Sequence, residues 1–394
     1  MDADFLRHLM NNLYGPLMDG YFRVRMLGAN NLPRHGPAIL AANHSGSSFP
    51  YDGIALDGML WYREGMRTED KCRSVYAKVL SVTWWMRPYG IDNFWRRCGG
   101  VDMTFDNFDH LLARGDRILY YPEGVPGIGK GFLRRYQLQR FASSFVTLAT
   151  RHRAPVVPVH VINAEWVIPF SFMIKPLDRL MERFFGVPFL PLPAGPLAIL
   201  FPFLWYLALP ARMIFVIGKP IDVVARARSA GITDLDNPDR ELIREVTDGI
   251  RDSMQERLTA LVERYGRWPY QLRSLWREAR RRGWQCLRLG PWAWVWSFPR
   301  LDRDRNRPPA RNLLHAFLRD WDLLLYYLPL GWPFLALARR LRKPPCGYRG
   351  LSPEERRERE GTFFWNLAER PLPPRRDAAA GFDPPAEGAA REAR

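Results

Sequence analysis

AILAANHSG at residues 38–46 and RILYYPEG at residues 117–124 are the two stretches that decide the fold. Each begins with a short apolar run, which is typical of a buried strand, and ends in polar and glycine residues. In an α/β sheet, ligands bind just outside the carboxyl ends of the strands. We therefore expect the two polar ends to meet at one site, where His44 takes a proton and Glu123 with Gly124 holds a polar acceptor.

Strands and helices alternate in the pattern from residue 22 to residue 222. The predicted strands are Phe22–Leu27, Ala38–Ala42, Ser74–Ala77, Arg117–Tyr121, Val156–Val161 and Met213–Ile217. The predicted helices are Asp52–Tyr62, Phe105–Arg114 and Leu133–Arg151. Such alternation is typical of a parallel sheet that is covered on both faces. The sequence thus predicts an α/β fold with a mostly parallel central sheet flanked by helices.

The composition limits the class of protein and its compartment. The four cysteines among 394 residues are scattered, with no CxxC or Cys/His pairing. This argues against a structural metal or a disulfide framework and fits a reducing compartment. The N-terminus lacks a basic segment followed by an apolar one, so we expect no secretory signal.

The strongly basic balance predicts an anionic partner. The formal net charge is +17, and many of the 15 tryptophans lie beside basic residues. Trp and Arg together are typical of the membrane–water interface, where the ring lies at headgroup depth and the guanidinium meets lipid phosphate. No RNP-like, zinc-finger or glycine-rich RNA-binding pattern occurs. We therefore expect an anionic membrane surface as partner, and no nucleic acid.

Two apolar segments bear on how the chain meets a membrane. Residues 1–20 predict an amphipathic helix, which either packs on the domain or serves as an interfacial anchor. Residues 186–211 carry no charge and are long enough to span a bilayer, but their six prolines disfavour a continuous helix. We expect this insertion in the domain to dip into one leaflet, with a buried insertion as the alternative.

The C-terminal half begins with a predicted helix, Asn237–Tyr265, within a packing segment at residues 226–266. Asn237 is the expected N-cap and Gly266 the stop. One apolar stripe along the helix is formed by Leu242, Val246, Ile250, Met254, Leu258 and Leu261. Residues 267–370 are rich in Arg and Trp and predict a helical, membrane-associated extension. Residues 371–394 are rich in Ala, Pro and charge, which predicts disorder.

Three sequence blocks occur in an order that resembles a known family. They are Asn43-His44-Ser45-Gly46 with the following Asp52, then Tyr121-Pro122-Glu123-Gly124, then Val156-Val157-Pro158-Val159. This order resembles the glycerolipid acyltransferase (PlsC-like, lysophospholipid acyltransferase) family, over roughly residues 20–225. The resemblance implies an acyltransferase domain at residues 21–225, on the cytoplasmic face of a membrane as a peripheral or monotopic protein.

The resemblance also implies a reaction. It predicts transfer of a fatty acyl group from acyl-CoA or acyl-carrier protein to a glycerolipid or lysolipid hydroxyl, as in 1-acylglycerol-3-phosphate acylation. No metal or other cofactor is expected, and the acyl carrier is a co-substrate.

The chemistry of this transfer fits the residues present. A neutral histidine suits removal of the hydroxyl proton, so His44 is the predicted general base. An aspartate bonded to the other ring nitrogen fixes the tautomer, and we expect Asp52 in this role. The family usually separates the two residues by four positions, whereas here there are seven, so Asp57 is the alternative. The alternative is that His44 has no catalytic role and only forms hydrogen bonds with the backbone of its loop.

The acceptor is predicted to bind at Glu123 and Gly124. Members of the family that use phosphorylated acceptors usually carry an arginine two residues after this glycine, and here that position is Pro126. This argues against a phosphorylated acceptor, although Lys130, Arg134 or Arg135 could supply the cation. Candidates for stabilising a developing oxyanion are Asn43, Ser45, Ser47 and nearby backbone amides.

Two other functions compete with acyl transfer. A lipid serine hydrolase would use Ser45 or Ser47, but the chain lacks the G-x-S-x-G turn of that class. A non-catalytic adapter for a membrane or a nucleic acid would need only the basic surface.

Overall fold

A computed structural model describes most of the first 283 residues and part of the remainder. The described residues are 1, 6–7, 9–47, 49–67, 71–77, 94–172, 175–185, 192–193, 197–205 and 207–283, with scattered positions between 314 and 337. Most of the predicted extension at 267–370 and the whole predicted tail at 371–394 lie outside the described residues.

Seven strands of the described residues form one sheet. They are β1 (Arg25–Leu27), β2 (Ala38–Ala42), β3 (Arg73–Tyr76), β4 (Val101–Asp102), β5 (Arg117–Tyr120), β6 (Val156–Ile162) and β9 (Ile214–Ile217). Their order is β1-β9-β6-β2-β5-β3-β4. Neighbouring strands are parallel except β6 and β9, which are antiparallel. The predicted mostly parallel sheet is confirmed. A separate antiparallel pair is formed by β7 (Ser171–Phe172) and β8 (Leu192–Pro193).

Helices lie on both faces of the sheet. The α-helices are α1 (Tyr51–Arg63), α2 (Phe94–Arg97), α3 (Phe105–Ala113), α4 (Gly124–Gly129), α5 (Ser144–Arg151), α6 (Lys175–Phe185), α7 (Leu197–Leu200), α8 (Val223–Ser229), α9 (Arg240–Tyr265) and α10 (Leu272–Arg282). Two π-helical turns are Met10–Tyr14 and Leu17–Tyr21. The 3-10 turns are Ala29–Asn31, Phe132–Arg134, Ala164–Val167 and Pro202–Trp205.

Strand β2 lies at the centre of the sheet, and all five of its residues are buried. Leu40 and Ala42 pack on the face that α1 covers, whereas Ile39 and Ala41 pack on the opposite face with α3, α5 and α9. A strand whose two faces are both covered needs apolar side chains at every position, which explains the uninterrupted run. Its neighbours β5 and β6 run parallel to it, so the chain leaves β2 and β5 at the same edge.

The N-terminal segment packs on the domain. Its apolar side chains are buried against α1 and the sheet: Leu6, Leu9, Met10, Leu13, Tyr14, Leu17, Met18 and Phe22. This supports the packing role rather than the interfacial anchor, since these side chains are already covered by protein.

The predicted helix Leu133–Arg151 is wrong over its first half, because only Ser144–Arg151 is α-helical. Tyr136 adopts a left-handed backbone with φ of 61°. The backbone N–H of Leu138 donates to Gln255 on α9 at 2.7 Å, and that of Gln139 donates to Glu123 at 2.8 Å. These two side chains satisfy the amides that a helix would otherwise use.

The long helix α9 begins three residues later than predicted. Asp239, not Asn237, is its N-cap, because the Asp239 carboxylate accepts from the backbone N–H groups of Glu241 and Leu242. The helix buries the predicted apolar stripe with one change, since Ile243 is fully buried and Leu242 only partly.

The apolar insertion at 186–211 lies partly outside the described residues. Its described part contains α7 and the 3-10 turn Pro202–Trp205. Among all described residues, no helix combines the length and the apolar character that a membrane span requires. Whether this insertion dips into a leaflet stays a prediction.

The position of the α9 cap gives a first test. Asp239→Ala should lower the free energy of unfolding by about 1 kcal/mol, because two backbone N–H groups lose their acceptor. Asn237→Ala is the matched control and should leave the free energy unchanged. Urea unfolding of the two variants measures the difference, and equal losses would contradict this assignment.

Candidate active site

His44 and Asp52 lie together at the edge where β2 ends. His44 follows the strand by two residues, and Asp52 lies in the first turn of α1. His44 Nδ1 is 3.3 Å from Asp52 Oδ2, and both side chains are buried. Asp57, the alternative partner, is engaged elsewhere, because its carboxylate accepts from Lys71 Nζ at 2.6 and 2.8 Å and from the Ser74 hydroxyl.

The longer loop between the two residues closes on itself. The backbone N–H of Ser45 donates to Asp52 Oδ2 at 3.0 Å. Gly46 has φ of 72°, and a Cβ at this position would lie 2.8 Å from Lys130 Cγ. A glycine is therefore needed both for the backbone conformation and for the approach of Lys130. The loop returns Asp52 to His44 although seven residues separate them.

The surroundings of Asp52 stabilise the ionised form of its carboxyl group. Burial alone would raise its pKa, but the hydrogen bond from His44 and those from the backbone N–H groups of Ser45 and Gly53 outweigh burial and lower the pKa below its usual value. An ionised Asp52 favours the tautomer with the proton on Nδ1 of His44. The lone pair of Nε2 is then available to accept a proton.

The ring of Tyr121 stacks on the His44 imidazole. The ring centroids are 4.0 Å apart and the planes differ by 17°. The Tyr121 hydroxyl is buried and has no hydrogen-bond partner in the described part of the chain, and burial raises its pKa. The uncharged Tyr121 ring therefore covers one face of the imidazole and restricts its orientation. No role for Tyr121 was predicted from the sequence, although its position directly after β5 was a usable signal.

Glu123 is bonded to the protein through both oxygens. Oε1 accepts from the backbone N–H of His44 at 2.9 Å. Oε2 accepts from the backbone N–H of Gln139 at 2.8 Å and lies 3.5 Å from Lys130 Nζ. The residue is 2% exposed. Glu123 thus holds the backbone of His44 in place, which differs from the expected role in binding the acceptor.

Of the three expected cations, Lys130 is the one with a recorded contact to a site residue in the described part of the chain, since its Nζ lies 3.5 Å from Glu123 Oε2. Lys130 is buried against Glu123, while Arg134 is exposed. The guanidinium of Arg135 lies over the Phe132 ring, 4.7 Å from its centroid, and 5.5 Å from that of Trp166.

Two glycines shape the turn that carries Glu123. Gly124 has φ of 55° at the start of α4. At Gly127, a Cβ would lie 2.5 Å from Glu123 Cβ and 3.1 Å from His44 Cβ, so only glycine lets α4 pass this close. This role of Gly127 was not predicted from the sequence.

The candidates for the oxyanion differ in availability. Both polar atoms of the Asn43 amide are bonded to the backbone of Val161, so Asn43 ties β2 to β6 instead of facing the site. The hydroxyls of Ser45 and Ser47 are 3.0 Å apart, and that of Ser47 donates to the Phe49 carbonyl. Among the described residues, neither serine bonds the His44 ring, which disfavours a serine hydrolase.

A second buried carboxyl lies near Lys130. Burial raises the pKa of Glu165 to about 8, against an opposing effect of Lys130. This shift favours the protonated form of Glu165 near neutral pH. Oε1 accepts from the backbone N–H of Tyr136 at 3.3 Å, while Oε2 has no hydrogen-bond partner in the described part of the structure. The same part holds no group of three His, Cys, Asp or Glu side chains suited to a metal ion.

Comparisons with known proteins match the part of the chain that builds this site. The family model described as Acyltransferase matches residues 23–162. An uncharacterized protein of Mycobacterium tuberculosis is 31% identical over 267 residues, which cover 66% of this chain and 68% of that protein. An uncharacterized protein of Mycobacterium leprae is 30% identical over 265 residues, covering 65% of each chain.

A solved structure is also similar. It is the crystal structure of the 1-acyl-sn-glycerophosphate (LPA) acyltransferase PlsC from Thermotoga maritima, with 17% identity and a TM-score of 0.38. The alignment covers 65% of this chain and 80% of that one.

The buried Glu123–Lys130 pair gives a second test. Glu123→Gln should lower the free energy of unfolding by about 3–5 kcal/mol, because Lys130 keeps a buried charge without a partner. Lys130→Met should cost less, since Glu123 retains its two backbone donors. In the double variant, the loss should be smaller than the sum of the two single losses. Chemical denaturation measures all three, and additive losses would show that the two residues do not interact.

Proposed function

Because the chain belongs to the acyltransferase family, we propose that it moves a fatty acyl group from a thioester donor to a hydroxyl group of a glycerolipid or lysolipid. The donor is acyl-CoA or acyl-carrier protein. The observation that carries the proposal is the contact of His44 Nδ1 with Asp52 Oδ2, 3.3 Å long, at the end of a central parallel strand. Catalytic groups of α/β sheets lie at these strand ends.

His44 acts as a general base in this mechanism. Nε2 takes the proton of the acceptor hydroxyl while the hydroxyl oxygen attacks the thioester carbonyl carbon. The tetrahedral intermediate then expels the thiolate, which takes the proton from the imidazolium and leaves as the thiol. The ionised Asp52 stabilises the imidazolium between the two proton transfers. The acyl group passes directly to the acceptor, so no acyl-enzyme forms.

Two further residues restrict the base. The Tyr121 ring covers one face of the imidazole, and the Glu123 carboxylate binds the backbone N–H of His44. Both contacts reduce the freedom of His44 before the substrate arrives, so less ordering remains for the reaction itself. Glu123 is in this view a positioning residue.

The charges around the site favour an uncharged acceptor. Lys130 is balanced by Glu123, and Arg135 lies over aromatic rings. On the far side of β3, Arg96 is paired with Asp102 in a buried contact. Arg134, the remaining candidate, is exposed to solvent. A phosphate group at the site would need a buried cation that is not already neutralised. We therefore expect mono- or diacylglycerol to be a better acceptor than lysophosphatidate.

The catalytic assignment predicts a graded loss of activity. His44→Ala should lower kcat for acyl transfer by about 10²–10⁴-fold, since the general base is removed. Asp52→Asn should lower kcat within the same range, because an amide favours the wrong tautomer of His44. His35→Ala replaces an exposed histidine and is the control, expected at the wild-type rate. Transfer from labelled acyl-CoA in the purified variants measures kcat. Unchanged transfer by His44→Ala would refute the mechanism.

The acceptor class gives a separate prediction. With labelled acyl-CoA, kcat/KM should be higher for mono- or diacylglycerol than for lysophosphatidate, because an uncompensated phosphate would be desolvated beside the buried Glu123. A panel of these acceptors and other lysolipids, presented in the same detergent, makes the comparison. Equal or faster transfer to lysophosphatidate would refute the uncharged acceptor while leaving the reaction class intact.

A further inference from the structure

One face of α10 exposes large apolar and cationic side chains together. At helical spacing, residues 272, 273, 276, 277, 280 and 281 share one face, and all of them are exposed. We call this set the outer face of α10: Leu272, Arg273, Trp276, Arg277, Arg280 and Arg281. Leu272 and Trp276 are each 68% exposed, and Trp268, just before the helix, is 77% exposed. The opposite face of α10 packs near the π-helical turn Leu17–Tyr21.

The arginines of this face are mostly uncompensated. Glu278 lies on the half-buried side of α10 and pairs with Arg281 at 3.6 Å and with Arg282 at 3.3 Å. Within the described part of the chain, Arg273, Arg277 and Arg280 form no ion pair. A surface with three such charges between a leucine and tryptophans attracts an anionic partner that also accepts apolar side chains.

We propose that the outer face of α10, together with Trp268, docks on the surface of a bilayer that contains anionic lipids. At such a surface the indole ring lies at headgroup depth and the guanidinium groups bind lipid phosphates. Leu272 contributes apolar area at the boundary with the acyl chains. A nucleic acid would also satisfy the arginines and the indoles, but it offers no apolar layer for the aliphatic side chain of Leu272.

The docking surface is connected to the candidate active site by aromatic contacts. The hydroxyl of Tyr270, two residues before α10, donates to the Trp166 carbonyl at 3.2 Å. The Trp166 and Phe132 rings are 4.8 Å apart, and Phe132 follows Lys130 by two residues. The next side chain, Leu133, is 87% exposed. Docking through α10 would thus bring the turn beside the site near the lipid. The proposal needs no assumption about the reaction, because binding is measured without substrate.

The test is flotation of the full-length protein with phosphatidylcholine vesicles that contain or lack phosphatidylglycerol. The wild type should bind the phosphatidylglycerol vesicles, and binding should weaken as salt rises. Replacing Arg273, Arg277 and Arg280 by Gln should weaken this binding by about tenfold to hundredfold. Trp276→Ala should weaken binding to a smaller extent.

The matched control removes the same charge elsewhere. Arg226, Arg228 and Arg240 are exposed on α8 and α9, and their replacement by Gln should leave vesicle binding near that of the wild type. All variants should keep the wild-type thermal midpoint and the wild-type acyl transfer to an acceptor in detergent. The proposal would be overturned if the two triple variants lost the same amount of binding, or if the wild type bound equally to vesicles without phosphatidylglycerol. It would also be overturned if a random RNA at matched phosphate concentration displaced the protein from the vesicles. Absence of wild-type binding would overturn it as well.

Discussion

The parallel pairing of β2 with β5 is the constraint on which the candidate active site depends. The register places Ala38 beside Arg117 and Ala41 beside Tyr120, so both chains leave the sheet at one edge. His44 and Glu123 then face each other across this edge, and one hydrogen bond between them closes the gap. A slip of one residue would turn every buried side chain of β2 to the opposite face of the sheet, so the apolar core itself fixes the position of His44.

Much of this arrangement could be predicted from the sequence, because buried strands of a parallel sheet leave continuous apolar runs. The bounds of β2 were predicted correctly and those of β5 to within one residue. The predictions that were wrong concern segments whose backbone conformation is determined by side chains distant in the sequence. Residues 133–143 have a helical pattern, but the backbone N–H groups of Leu138 and Gln139 donate to Gln255 and Glu123. Local helix propensity reveals neither partner. The sequence favoured Asp52 as the partner of His44 but left Asp57 open. The structure excludes Asp57 because its carboxylate pairs with Lys71.

The role of Glu123 shows a different limit of sequence analysis. A glutamate before a glycine turn predicts a polar group at the site, but the pattern does not reveal whether its oxygens face a ligand or the protein. Here both carboxylate oxygens of Glu123 accept hydrogen bonds from the protein, and one of them also pairs with Lys130. The carboxylate that binds the His44 backbone thus also pairs with Lys130, and this pairing is the basis of the proposed preference for an uncharged acceptor.

The hydrogen bond from the His44 backbone to the buried Glu123 has a consequence for solvent exchange. An amide whose acceptor is shielded from water exchanges its proton for deuterium only when the surrounding turn opens. The exchange rate at this single amide therefore reports how often the edge between β2 and α4 separates, whether or not any lipid is present. Slow exchange there, beside fast exchange in the exposed segments, would mean that the machinery is assembled in the resting protein and does not wait for its substrates to order it.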